Sequence, residues 1–150
     1  MDDGDAGVLG AVLGSGLCGV AVMDREFVRE FAEGWVKAWN AHDLDALLAH
    51  FGEDVVFTSP VAAQLLDGSD GVIRGRAALR AYWTEGLRWI PDLRFEVVGV
   101  YAGVRTVVIH YRNQKGGLVN EVLTFEGPLV VEGHDTYLDP DSNPAGALGG

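Results

Sequence analysis

The chain has 150 residues, 48% hydrophobic and 22% charged, with a formal net charge of −11. That length fits one domain with a sizeable core, and the composition is that of a folded protein rather than a disordered one. The acidic balance argues against nucleic acid and anionic membranes as partners. Phosphate contacts need clustered cations, and here there are only two lysines, Lys37 and Lys115, among scattered arginines.

Residues 6–23 carry no charge, but five of them are glycines and the flank before them, Asp2, Asp3 and Asp5, is acidic. Glycine weakens both helix propensity and hydrophobicity, and a signal peptide wants positive charge at that flank. The reading is therefore a disordered Gly/Ala-rich extension over 1–22, no membrane anchor, and a natural start at Met23. Gly14-x-Gly16-x-x-Gly19 matches the dinucleotide fingerprint by chance, since no βαβ unit surrounds it. Cys18 is the sole cysteine, which excludes an intrachain disulfide and points to a reducing, cytoplasmic location.

The folded domain is expected over 23–138. Asp24 caps a helix whose stripe is Phe27, Val28, Phe31, Trp35, Ala38 and Trp39. Asn40-Ala41-His42 breaks it, and Asp43 caps a short second helix reaching Phe51. Residues 55–59 form a strand stopped by Pro60, 61–75 a long loop, and 76–87 a third helix burying Leu79, Tyr82, Trp83 and Leu87. Four strands follow, at about 93–101, 104–113, 118–126 and 129–138, separated by short Gly-containing turns. Residues 139–150 read as a disordered tail. The order predicts an α+β fold in which a cone-shaped, curved antiparallel sheet is closed over a pocket by three N-terminal helices. That interior is the expected place for a ligand.

Strand alternation selects the inward groups. Glu121 shares a face with Val119, Leu123 and Phe125. Two readings follow: a pocket acid whose pKa rises through lost hydration, or an interface residue paired with an arginine. Ile109 and Tyr111 share the inner face of their strand, with His110 and Arg112 opposite; Phe57 and Ser59 point one way on theirs. On the last strand the alternation is mixed. Asp135 is placed outward by preference, because Gly133 and Asp135 make a poor core face; turned inward, it would couple to Glu121. Tyr111 and Tyr137 are candidate donors to a ligand oxygen, and Trp35 and Trp83 candidate pocket walls. The four histidines lack ligand spacing, so no metal and no cofactor are expected.

Residues 26–138 resemble the nuclear transport factor 2-like superfamily, within it the SnoaL-like and ketosteroid-isomerase-like proteins. The resemblance rests on Trp39-Asn40-Ala41-His42-Asp43-Leu44-Asp45-Ala46-Leu47, on Phe51-Gly52-Glu53-Asp54-Val55-Val56-Phe57, and on Ile73-Arg74-Gly75-Arg76-Ala77-Ala78-Leu79-Arg80-Ala81-Tyr82-Trp83. It implies a homodimer formed through the outer sheet face, with His110, Arg112 and Thr124 in the contact. Carried over from the isomerases, the base position holds Ser59 before Pro60, the oxyanion tyrosine position holds Trp35, and the neutral acid falls at Glu121. Limonene epoxide hydrolase looks similar in fold, but Val119 stands where its arginine would be. The resemblance implies binding of a small apolar ligand, with isomerase, lyase or cyclase chemistry by Glu121 and Tyr111. Phe57, Ser59, Trp83, Ile109, Leu123, Asp135, Tyr137 and Trp35 are the candidate substrate contacts. The alternative is a non-catalytic binding or dimerisation module of the same fold.

Overall fold

The computed structural model describes residues 23–146. The Gly14–Gly19 match, Cys18 and the rest of 1–22 lie outside them, as do the last four residues. Helix α1, Arg25–Asn40, is capped by the Asp24 carboxylate, which accepts from the Phe27 amide at 2.9 Å. Asp43 caps α2, Leu44–Leu48, in the same way through Ala46. Both caps fall where Asp precedes an apolar stripe. Strand β1, Phe51–Thr58, is followed by α3, Pro60–Leu65, then β2, Val72–Arg74, and α4, Arg76–Trp89. Strands β3, Glu96–Ala102, β4, Thr106–Arg112, β5, Leu118–Glu126, and β6, Leu129–Tyr137, complete the domain.

The six strands form one curved, unclosed sheet in the order β2-β1-β6-β5-β4-β3. Its neighbours are antiparallel except β1 and β6, which run parallel. The helices cover the concave face. One continuous core joins α1 (Phe31, Trp35, Trp39), α4 (Leu79, Trp83) and the inner positions of every long strand.

Four boundaries depart from the sequence reading, each for a local reason. Phe51 belongs to β1 rather than to the second helix, since it pairs with Val130 and the Val130 amide bonds the His50 carbonyl. The stretch read as one loop after Pro60 holds α3 and β2. Pro60 fits the first turn of a helix, and the Ser59 hydroxyl accepts from the Val61 and Ala62 amides. Strand β3 starts at Glu96, because the Asn40 carboxamide has already taken both backbone groups of Phe95. The chain after β6 is not loose throughout. Residues 139–146 make turns, and Asn143 among them is buried.

The mixed alternation of the last strand has a physical cause. The β5–β6 register shifts between Thr124/Glu132 and Phe125/Val130, leaving Val131 as an extra residue. Such a bulge moves the inward face by one position. Before it Val130 is fully buried; after it Gly133, Asp135 and Tyr137 stand opposite Leu123, Glu121 and Val119. The outward preference for Asp135 is thereby overturned.

Gly133 is not a weakness in the core face. A Cβ there would lie 2.7 Å from Cδ2 of Phe57 and 3.2 Å from Cδ2 of Leu123. The missing side chain is the space the Phe57 ring fills, and that ring meets Trp83 edge-on at 5.5 Å. Gly133→Ala is expected to destabilise the fold by about 1–3 kcal/mol, the usual cost of overpacking. Chemical denaturation measures it, and an unchanged midpoint would refute the close-packing argument.

Candidate functional site

A cavity of about 300 Å3 opens between α4, the inner face of β4–β6 and the chain after β6. Five of the residues singled out in the sequence line it: Trp83, Tyr111, Glu121, Asp135 and Tyr137. The other five do not. Trp35 is fully buried between Phe95 and Tyr111, with ring centroids at 5.7 and 5.2 Å. Phe57, Ile109 and Leu123 are packed into the core behind the cavity wall. Ser59 is 2% exposed, its hydroxyl already serving as helix cap and lying 3.2 Å from the Tyr82 hydroxyl. Alternation correctly turns Phe57, Ser59, Ile109 and Leu123 inward and the α1 stripe does the same for Trp35, but depth along each element, which decides who reaches the cavity, has no sequence signature.

The cavity also takes residues that sequence reasoning gave no such place, among them Leu93 and Phe95 from the loop after α4. Asn40-Ala41-His42, read only as a helix break, fixes that loop. The Asn40 side chain donates to the Phe95 carbonyl at 2.9 Å and accepts from the Phe95 amide at 2.7 Å. Nε2 of His42 lies 3.0 Å from the Leu93 carbonyl. The signal was an Asn that ends a helix, since a carboxamide can pair with a passing backbone as a strand does.

Glu121 and Asp135 are direct register partners on β5 and β6. Glu121 is 2% exposed. Burial holds its carboxyl well above the usual carboxylate range, and the neighbouring Asp135 charge pushes it further up. Burial likewise raises Asp135 to about 6, with the neighbouring Glu121 and His134 opposing. Two like charges in a poorly hydrated site resist ionising together, so they share a proton. The pair therefore keeps a proton more readily than two separate carboxyl groups would, and Glu121 is the more strongly raised of the two. No arginine or lysine bonds either carboxyl among the described residues, so the reading of Glu121 as half of an interface ion pair finds no support in its inward placement.

The tyrosines facing the pair are kept as neutral O–H donors. Burial raises Tyr111 well above its ordinary value, with Asp135 and Glu121 adding to the rise. Burial also pushes Tyr82 up to about 12, its Ser59 hydrogen bond opposing. No group of three or more His, Cys, Asp or Glu among the described residues could hold a metal ion. No described helix is long and apolar enough to cross a membrane.

A family model, SnoaL-like domain, matches residues 32–138, and the chain belongs to that family. A SnoaL-like protein of unknown function from Burkholderia thailandensis E264 is 42% identical. The match covers 78% of this chain and 98% of that one, with a TM-score of 0.74. The fold also matches a candidate ketosteroid isomerase from Kribbella flavida DSM 17836, at 19% identity and a TM-score of 0.60, over 76% and 79% of the two chains. A protein of unknown function with cystatin-like fold from Methylobium petroleophilum PM1 is 18% identical, over 85% and 83%, with a TM-score of 0.64. These last two likenesses concern the fold alone. Among curated proteins none matches the chain.

The carboxyl pair makes the fold sensitive to pH in a defined direction. An acid whose pKa is raised by folding weakens the fold as pH climbs from the unfolded to the folded value, because the unfolded chain gives up its proton first. For Asp135 that window runs from about 4 to about 6. Asp135→Asn is therefore expected to gain about 3 kcal/mol of stability relative to the native chain between pH 4 and pH 7. Urea denaturation at the two pH values measures this. A difference that does not change with pH would mean Asp135 ionises as it does in water.

Proposed function

We propose that the cavity binds a small apolar molecule bearing a carbonyl-type oxygen, and that the Glu121–Asp135 pair moves a proton on it. The observation that carries this reading is the facing of two carboxyl groups, Glu121 and Asp135, on the wall of one cavity, with burial raising both. Such a pair supplies an acid and a base at the same pH. Asp135, as carboxylate, takes the proton from the carbon beside the carbonyl. Glu121, still neutral, donates its hydrogen bond to the oxygen as negative charge develops there. The buried Tyr111 phenol is a second donor. Return of the proton to a different carbon gives an isomer; loss of a leaving group instead gives a lyase product.

The base position carried over from the isomerases stays empty in this scheme, since the Ser59 hydroxyl is committed to capping α3. The work falls to Asp135 on another strand. A volume of about 300 Å3 suits a ligand of two or three fused rings or an equivalent chain, which favours this reading over a module with a filled core.

The test uses α-tetralone, a neutral bicyclic ketone, in deuterated buffer, with deuterium uptake beside the carbonyl followed by mass spectrometry. The native chain is expected to accelerate uptake, with the rate rising through about pH 6 as Asp135 ionises. Glu121→Gln is expected to lose on the order of a hundredfold of the acceleration or more. Native protein no faster than buffer, or a Glu121→Gln variant as fast as the native chain, rejects proton transfer by this pair.

The reading also assigns the outer sheet face, where His110 bonds Asn120 at 2.7 Å and Arg112 meets Glu96 at 3.5 Å, to a two-fold contact with a second copy. Isologous contacts of this kind are the usual route to dimers. Sedimentation at micromolar concentration is expected to give a dimer that Thr124→Arg dissociates. A monomer in the native chain would remove this part of the proposal.

A further inference from the structure

One wall of the cavity is built by the chain after β6, where Asn143 and Ala145 line the opening. No apolar anchor holds that segment. It is tied down by one side chain. The Asn143 carboxamide donates to the Leu118 carbonyl at 3.1 Å and to the Leu138 carbonyl at 3.3 Å. Its oxygen accepts from the Leu118 amide at 3.0 Å and from the Ala145 amide at 3.2 Å. Both donor hydrogens and the acceptor are satisfied, and the side chain is 8% exposed. Against Leu118, the first residue of β5, it makes the two bonds that a neighbouring strand would make.

The segment presses on the β4–β5 turn. Gly117 has an ordinary φ, yet a Cβ on it would lie 2.9 Å from Cβ of Ala145 and 3.0 Å from Nδ2 of Asn113. A glycine without a conformational reason marks a close approach, here of the C-terminal segment to the turn. Asn113 in turn holds that turn, its oxygen accepting from the Lys115 and Gly117 amides. Turn and segment fit together at the cavity rim, on the side away from the packed floor at Phe57 and Leu123.

We propose that Asn143 is a positioning residue that holds residues 139–146 as a wall of the cavity, and that this wall sets the length of the apolar ligand the cavity accepts. The proposal rests on the reading of the cavity as a ligand site. It does not depend on the proton transfer.

The test displaces N-phenyl-1-naphthylamine, a neutral fluorescent probe, with a series of straight-chain methyl ketones from hexanone to tetradecanone. On the native chain affinity is expected to rise about fourfold per methylene and then stop rising at the length that meets the wall. Asn143→Asp keeps the accepting oxygen and puts a second acceptor in place of the donating nitrogen, so both donated bonds are lost. It is expected to leave the short ketones unchanged, move the limit to longer ones, and bind the longest about tenfold more tightly than the native chain does. General loosening of the fold would weaken every length alike. Ala145→Trp, which leaves the Asn143 bonds in place, is expected to shift the limit the other way, and it decides the matter should Asn143→Asp fail to fold. An unchanged limit in both variants, with binding intact, overturns the wall and leaves the ligand site standing. Failure of every ketone to displace the probe from the native chain overturns the ligand site and the wall together.

Discussion

A single extra residue, Val131, governs what the interior of this domain contains. Without the shift of register beside it, β6 would carry one inward face along its whole length. Val130 at one end and Asp135 at the other could not both point into the cone. The bulge allows both. At its open end β6 then lays Asp135 opposite Glu121, and between them Gly133 leaves the gap that the Phe57 ring fills. The parallel pairing of β1 with β6 brings Phe57 opposite Gly133, so the same strand carries the floor of the cavity and one of its two carboxyl groups.

The two members of the carboxyl pair differ in their surroundings. Burial raises both, but the closeness of the two raises Glu121 further and lowers Asp135, with His134 adding to the second effect from the other face of the strand. His134 is itself held by Thr58 at 2.6 Å and Glu132 at 2.8 Å. Asymmetry in surroundings thus becomes a difference in acidity between the two.

Two carboxamides organise the rim in the same way from opposite ends of the chain. Asn40 closes α1 and takes both backbone groups of Phe95; Asn143 takes both backbone groups of Leu118. Each substitutes a side chain for a strand where the sheet has run out of partners. Buried backbone groups at a sheet end need such satisfaction. Meeting that need here also places Leu93, Phe95 and Ala145 around the opening.

Much of the architecture was legible in the sequence because it follows from local periodicity and capping. Asp24 and Asp43 announce their helices, and the stripe from Phe31 to Trp39 its buried side. Alternation through Val119, Leu123 and Phe125 puts Glu121 inside. These are short-range rules, and SnoaL-like motifs such as Trp39–Leu47 agree with them. Other features are long-range. The direction of Asp135 depends on a register shift against another strand, and the need for glycine at 133 depends on Phe57, seventy-six positions earlier in the numbering. Trp35, Ser59 and Ile109 read as pocket residues because helical and strand periodicity give a face and not a depth, and Asn143 lies in a segment whose composition reads as loose. Local propensity carries no information about a partner that only folding brings near, so the sequence determined most of the elements and the inward face of one acid, and tertiary packing decided which second acid stands beside it.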